Sequence, residues 1–447
     1  MSDTTASSTP ARRYGGRTAL LALLALLALL LTPLGAGAGP PTSPLTTDPA
    51  DAAAGWLTGE FTDGDHLSTE FDLDGNGVID PLTEVFPDYG LTADAVLAFA
   101  AAGSAGDAAE AATDYLAANV AGYAGDGIAE SYAGSLAKLV IVADVMGRDP
   151  LDFGGRDLIA ELTAREQTSG RFADLSAFGD YSNGFTQSLA VIALDRATRN
   201  GASTAAVDYL VAQQCADGGF NSVLEVSPCA GEVDTSAFAV QALDVAGRDA
   251  ARDTTTGFML GQQAADGSFA APGFGTPPVT TANSNSTGLA AQALSSLGEI
   301  EAASSAVGWL LDRQVGVDRP QEQQGAFAFD ATGFDPANAA RATTQAVLGV
   351  AGIGFVDLVA PTDPLAYGLD VGSGGALPPP PGTGPPPGTS PPPGVGPPGP
   401  PVPELPATGA APQSLLEVGI GLLAIGIAVS VLARRRTDRL FPTRTSP

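Results

Sequence analysis

Five oxygen donors stand at alternate positions in the run DLDGNGVID: Asp72, Asp74, Asn76, the Val78 carbonyl and Asp80. They match positions 1, 3, 5, 7 and 9 of a calcium loop, with Gly77 at the sixth position, where the chain reverses sharply. Hard oxygen ligands spaced this way can wrap one hard cation. The twelfth position, where a bidentate Glu belongs, holds Thr83, and Glu84 one residue later is the candidate to compensate. No long helices are expected on the flanks, so 72–84 reads as an isolated insert. An unliganded acidic turn is the alternative. Calcium is thus the expected cofactor, and weak affinity would suffice outside a cell.

Three further carboxylates, Glu130, Asp180 and Asp234, fall at the expected starts of apolar helices. Two carboxylates about 5 to 10 Å apart in a shared cavity would suit glycoside hydrolysis. Acidic groups at helix starts also cap them, and capping is the preferred reading, so no catalytic residue is assigned. Cys215 and Cys229 are the only cysteines, and they are expected to pair and staple a short loop by about 3 kcal/mol. His66 is the only histidine, which leaves no set of residues for zinc.

The elements that must position these groups announce themselves as repeats. QQCADGGF (Gln213 to Phe220) and QQAADGSF (Gln262 to Phe269) are near twins, with looser relatives at Arg165 to Phe172 and Gln321 to Phe329. A period of about fifty residues marks units that cannot bury their apolar faces alone. Each turn precedes an Ala- and Leu-rich phrase of low charge, beginning at Tyr89, Ser182, Asp234, Asn285 and Asn338, which reads as an inner helix buried on most sides. The segments before the turns carry one apolar stripe, as Val207, Leu210, Val211 and Gln214 do at i, i+3, i+4 and i+7. Their anchors are Trp56, Tyr115, Leu162, Tyr209, Phe258 and Trp309, one for each of six outer helices. The expected fold is all-α, an α6/α6 toroid of six helix-pair repeats over 48–360. A closed ring is favoured because the terminal units are as apolar as the middle ones.

The Gln-x-x-Asp-Gly-x-aromatic turn resembles the repeat of the prenyltransferase and squalene-cyclase superfamily. The similarity covers most of Asp48 to Leu358 and is strongest in the fourth and fifth units. Gln214, Asp217, Gly218 and Phe220, with Gln263, Asp266, Gly267 and Phe269, take a structural part in this reading, as cement between units. The chemistry that the resemblance would imply is missing: no Asp-x-Asp-Asp acid string, no Asp, Cys and His set for zinc, no thioester motif. Exported cobalamin carriers of the same fold are the nearest binding precedent, but they add a β-rich domain for which this chain has no length after Leu358.

The ends read as addresses. Arg12, Arg13 and Arg17 precede the apolar run Ala19 to Leu31 and the small residues AGAG, a secretory signal over 1–38. A tail and proline-rich stalk span 361–404, and prolines at that density favour extended polyproline II. Leu405, Pro406, Ala407, Thr408 and Gly409 then resemble a Gram-positive cell-wall sorting signal, with an apolar transmembrane helix at 415–433 and an arginine-led cytoplasmic tail at 434–447. That resemblance implies sortase and peptidoglycan as partners, and a chain exported to the cell wall or surface after a membrane-held stage. A net charge of −29 repels nucleic acid.

Together these point to a wall-anchored surface protein whose toroid head binds a small apolar or glycan ligand or a surface partner, without turnover. An extracellular terpenoid- or glycan-acting enzyme with an active site foreign to the family is the alternative, and an architectural wall protein is the third.

Overall fold

The computed structural model describes residues 44–272 and 280–370. The secretory signal, most of the stalk, the sorting motif, the 415–433 segment and the final tail lie outside the described residues. Among the described residues no helix is long and apolar enough to cross a membrane.

Six helices form the outer layer: α1 (Pro49–Gly59), α3 (Gly106–Ala118), α6 (Leu158–Thr163), α8 (Thr204–Ala212), α10 (Asp249–Gln262) and α12 (Ile300–Leu311). Six more form the inner layer: α2 (Tyr89–Ala102), α5 (Ala133–Val145), α7 (Gly184–Ala197), α9 (Val233–Val245), α11 (Ser284–Ser296) and α13 (Pro336–Ala351). A short α4 (Val120–Ala124) stands in the second unit, where the repeat is weakest in sequence. Local chemistry sets the ends. Asp48, Asp88, Asn183, Asn283 and Asp335 turn a side-chain oxygen onto first-turn N–H groups, and Pro49 and Pro336 sit where a missing N–H costs nothing.

Each inner helix packs on the next, and α13 returns to α2, so the ring closes within one chain. The inner helices are buried nearly throughout by alanines and leucines, which lets them approach closely. A Cβ on Gly288 of α11 would stand 2.3 Å from the Gln345 carbonyl oxygen of α13. Three two-stranded pairings are peripheral: β2 (Ser68–Glu70) with β3 (Val85–Pro87), β4 (Ala270–Pro272) with β5 (Thr280–Ala282), and β1 (Leu45–Thr46) in parallel with β6 (Gly368–Leu369).

The repeated turn joins neighbouring units. Gln263 Nε2 donates to the Gly267 carbonyl in its own turn and to Ala302 in the next outer helix at 2.8 Å. Gln314 does the same across the seam, to Gly325 and to Pro49 of α1 at 2.7 Å. Trp56 Nε1 donates to the Glu322 carbonyl at 2.8 Å, locking first unit to last. The turn aromatics Phe172, Phe220, Phe269 and Phe327 are wholly buried between units. Truncating one such ring costs about 3–5 kcal/mol.

Candidate functional site

The direction in which each inner helix faces follows from one repeated hydrogen bond. The backbone N–H of Phe220 donates to Ser236 Oγ at 2.9 Å, that of Phe269 to Thr287 Oγ1 at 3.0 Å, and that of Phe327 to Thr343 Oγ1 at 2.9 Å. Leu67 with Thr92, and Phe172 with Gln187, repeat it in the first and third units. These inner-helix residues therefore point outward, to the turns. Positions two before and two after are rotated by roughly 200° and point to the ring's centre.

The positions two before are Gly90, Phe185, Asp234, Asn285 and Arg341. Those two after are Asp94, Leu189, Phe238, Leu289 and Gln345. Asp234, Phe238, Asn285 and Gln345 keep partial exposure although the residues flanking them are buried, as expected for side chains facing an interior space. One wall of that space is charged: Lys138 of α5 pairs with Asp94 at 2.6 Å, and Arg341 stands 3.6 Å from Asp88. Burial works against the Lys138 ammonium, but Asp94 outweighs it and its pKa is raised. The other wall is aromatic. Phe185 meets Phe238 edge-on at 5.4 Å, and Phe238 stacks on Phe355 at 5.1 Å.

Asp234 stands one turn before Phe238 on α9. Glu232 holds the N-cap position of α9, so Asp234 is a first-turn residue and does not cap the helix. Although the residue keeps some exposure, its Oδ1 is sealed from solvent and has no hydrogen-bond partner. The sealed atom governs its acidity. Burial pushes the carboxyl up to about 6, with a smaller downward pull from the neighbouring Ser286 hydroxyl, which does not reach hydrogen-bond geometry. Asn285 Oδ1 and Gln345 Oε1 are likewise buried without partners. Orphaned buried acceptors are rare in folded proteins and call for an explanation. A carboxyl that keeps its proton up to about pH 6 is a candidate general acid in mildly acid solution.

The other two carboxylates are used locally. Glu130 accepts from the Tyr132 hydroxyl at 2.7 Å and from Ala177 N–H at 3.3 Å. Asp180 pairs with Arg171 at 2.7 Å and accepts from Asp174 and Ser182 N–H. In both, burial works upward but these bonds prevail and lower the pKa. Neither caps a helix; both fasten loops.

In the acidic loop, Asp72, Asp74 and Glu84 bring carboxylate oxygens within 4.8 Å of one another, with Glu84 buried. That is a donor set of the kind a hard cation takes. Glu84 also organises the loop, accepting from Leu73 N–H and Asp80 N–H at 2.8 Å. Asp80 turns elsewhere, its Oδ1 accepting from Leu82 N–H, and Asn76 Oδ1 accepts from Val78 N–H. The Asp72 carboxyl is held below its ordinary value, chiefly by Gly77 N–H. Cys215 and Cys229 are joined, with Cα atoms 5.3 Å apart. Leu405 to Gly409 lie outside the described residues. Two surface clefts of about 460 and 440 Å³ lie away from Asp234, one around Arg252 and Asp244, the other around Arg313 and Asp330. Their cations are already engaged, Arg252 with three aspartates and Arg313 over the Trp309 ring at 3.3 Å.

No family model and no curated protein matches the chain. Several solved structures do. A variant of the type II terpene cyclase MstE from Scytonema, in complex with geranylgeranyl dihydroxybenzoate as substrate, has a TM-score of 0.49 and 14% identity over 70% of this chain and 98% of its own. The ent-copalyl diphosphate synthase from Streptomyces platensis has a TM-score of 0.41 and 18% identity over 69% of this chain and 65% of its own. A glycosidase has a TM-score of 0.47 and 10% identity over 69% and 97%. The likeness is one of α/α fold. The expectation of a non-catalytic binding head is corrected here: most of these named neighbours are terpene cyclases, one of them holding its substrate. At such scores they do not decide what this chain does, so its own residues must carry the chemistry. Glu130, Asp180 and Asp234 were all expected to cap helices, and the N-cap positions belong instead to Tyr132, Asn183 and Glu232.

Proposed function

We propose that the ring is an acid-dependent enzyme acting on a terpenoid, with Asp234 as the proton donor. The observation that carries this is the pairing on α9 of an unpartnered, buried carboxyl, its pKa near 6, with an aromatic ring one turn below. Asp234 adds its proton to a carbon–carbon double bond, forming a C–H bond and a tertiary carbocation. A second double bond attacks that cation and closes a ring, and transfer of a proton from a neighbouring carbon to water gives a cyclic alkene isomeric with the substrate, while the Asp234 carboxylate regains its proton from solvent. Phe185 and Phe238 offer π-faces and edges to the cationic stages, which such rings stabilise by about 0.5–2 kcal/mol each. A glycan reading would need a second free carboxylate; Glu130 and Asp180 are committed to loops, and the centre-facing Asp94 is paired with Lys138.

Asn285 and Gln345 present acceptors that orient a polar group of the substrate. The acidic loop is proposed to take calcium through Asp72, Asp74 and Glu84. The proposed location, outside the cell and joined to peptidoglycan by sortase at Thr408, rests on the sequence of the chain's two ends. The test is conversion of geranylgeraniol at pH 5 by the wild type and by Asp234→Asn, followed by mass spectrometry. Isomeric cyclic products from the wild type alone support the reading. Equal conversion by the variant, or none by either, rejects it.

A further inference from the structure

We infer that the surface cleft beside the sixth turn binds a free α-amino acid with an apolar side chain, whose two charges are taken by opposite walls. The cleft holds about 440 Å³. Small-molecule sites span about 300–1,000 Å³, so one such ligand fits. The backbone sets its walls. Val315 N–H donates to the Ala326 carbonyl at 2.8 Å and Ala328 N–H to the Arg313 carbonyl at 2.9 Å, so 313–315 and 326–328 run side by side. The first segment and its turn carry Asp312, Arg313, Asp318 and Arg319, and the second leads to Asp330 and Phe334. Arg319 reaches from one to the other, its Nη2 standing 3.8 Å from where a Cβ on Gly333 would be. Asp312, Asp318 and Arg319 are exposed, and Arg313, Asp330 and Phe334 are half-buried, so solvent reaches all six.

Charges of both signs meet in this cleft without pairing. Elsewhere Arg156, Arg171 and Arg248 each close on a carboxylate. Among the described residues neither Arg313 nor Arg319 forms an ion pair, although three carboxylates line the same space. The Trp309 ring covers one face of the Arg313 guanidinium and Nη1 donates to the Trp309 carbonyl at 2.8 Å, which leaves Nη2 without a partner. Burial draws that guanidinium below its ordinary pKa, and Asp312, Asp266 and Asp330 pull it back up without closing to a pair. Asp330 accepts from the Thr332 N–H at 2.8 Å and hydroxyl at 2.6 Å through Oδ1 alone, so Oδ2 stays free. A simple anion would face three carboxylates here, and a simple cation two guanidiniums. A molecule carrying both signs on one carbon satisfies both walls. The carboxylate of an amino acid takes the guanidinium donors, and its ammonium takes Asp330 and the neighbouring aspartates. Phe334, edge-on to Trp56 at 6.1 Å, presents its open side to the ligand's apolar side chain.

The test is calorimetric titration near pH 7 of L-phenylalanine, of phenylacetate, which lacks the ammonium, and of phenethylamine, which lacks the carboxylate. Each is titrated into the wild type, Arg319→Gln and Asp330→Asn. The expected result is saturable binding of L-phenylalanine by the wild type, with about tenfold or greater weakening for either single-charge analogue and for either variant. Arg319 has no partner to lose, so Arg319→Gln is expected to melt as the wild type does, and it carries the test if Asp330→Asn does not fold. Phenylacetate or phenethylamine binding as tightly as L-phenylalanine overturns the inference, because one wall would then suffice. Unchanged affinity in Arg319→Gln, or no binding of L-phenylalanine by the wild type, overturns it as well. The cleft lies away from Asp234, so none of these outcomes bears on the terpenoid reading.

Discussion

Asp234 and Phe238 stand one turn apart on the centre-facing side of α9, the first with a sealed and unpartnered carboxyl oxygen, the second stacked on Phe355. An i, i+4 spacing places both on one face of a helix. Phe238 also packs the core, but the placement of Asp234 does not help the fold. A buried acid without a partner lowers stability, and its retention at this position fits a chemical use.

The cost gives a pH signature. Burial raises the Asp234 pKa from 3.8 to about 6, so the folded state favours the protonated form. The fold is fully stable with respect to this group below the unfolded value of 3.8 and loses stability as pH rises towards 6 and past it, by up to about 3 kcal/mol. Asp234→Asn removes that dependence. Urea unfolding from pH 4 to 7 is expected to show a wild-type-minus-variant difference that grows with pH, and a flat difference would contradict the burial of this group. Activity is expected to fall about tenfold per pH unit above about 6.

Ring closure depends on the seam. Gly325 has φ +93°, and an added Cβ would stand 2.5 Å from the Ala52 carbonyl oxygen of α1. Gly325→Ala is expected to lower stability by about 2–4 kcal/mol and to loosen α1, read as faster amide exchange over 49–59. Gln314→Ala, which removes the donor to Pro49, is expected to do the same by about 1–2 kcal/mol. Exchange at α1 unchanged by either substitution would mean the ring is not held at this seam.

Calcium is expected to raise the thermal midpoint and to slow proteolysis across 72–84, with a dissociation constant on the order of 10⁻⁴ to 10⁻³ M. Asp72→Asn should abolish the calcium response while leaving Glu84 to hold the loop. Identical melting with calcium and with EDTA would remove the cation from the account.

Cys215 and Cys229, separated by 14 residues, close the loop that carries the fourth turn. Reduction is expected to cost about 3 kcal/mol and to expose Phe220 and its neighbours, read as a lower urea midpoint under reductant. A midpoint that does not move would show that the turn holds without its staple.

Much of the ring was legible because each turn solves the same problem with the same residues. The six outer anchors and five of the inner starts could be read directly, and the inner helix Ala133–Val145 could not, since the second unit replaces the turn phrase with α4. The site was half legible. Asp234 stood out as a carboxylate at a helix start, but whether it caps the helix depends on a hydrogen bond that no sequence displays. A usable signal was present: aligning DTSAFAVQ, NSTGLAAQ and RATTQ on the hydroxyl that holds the turn puts Asp234, Asn285 and Arg341 in one register, two residues earlier. Phe355 had no such signal, because its segment follows the last repeat and is placed by Arg196, some 160 residues earlier.

The most direct measurement is incubation of the protein with geranylgeraniol in D₂O at pD near 5, with mass analysis of the cyclic products. The account predicts one deuterium, delivered through Asp234, retained at the protonated terminus of each product molecule, and no product from Asp234→Asn. Cyclic product without deuterium, or labelled product from the variant, would contradict Asp234 as the acid.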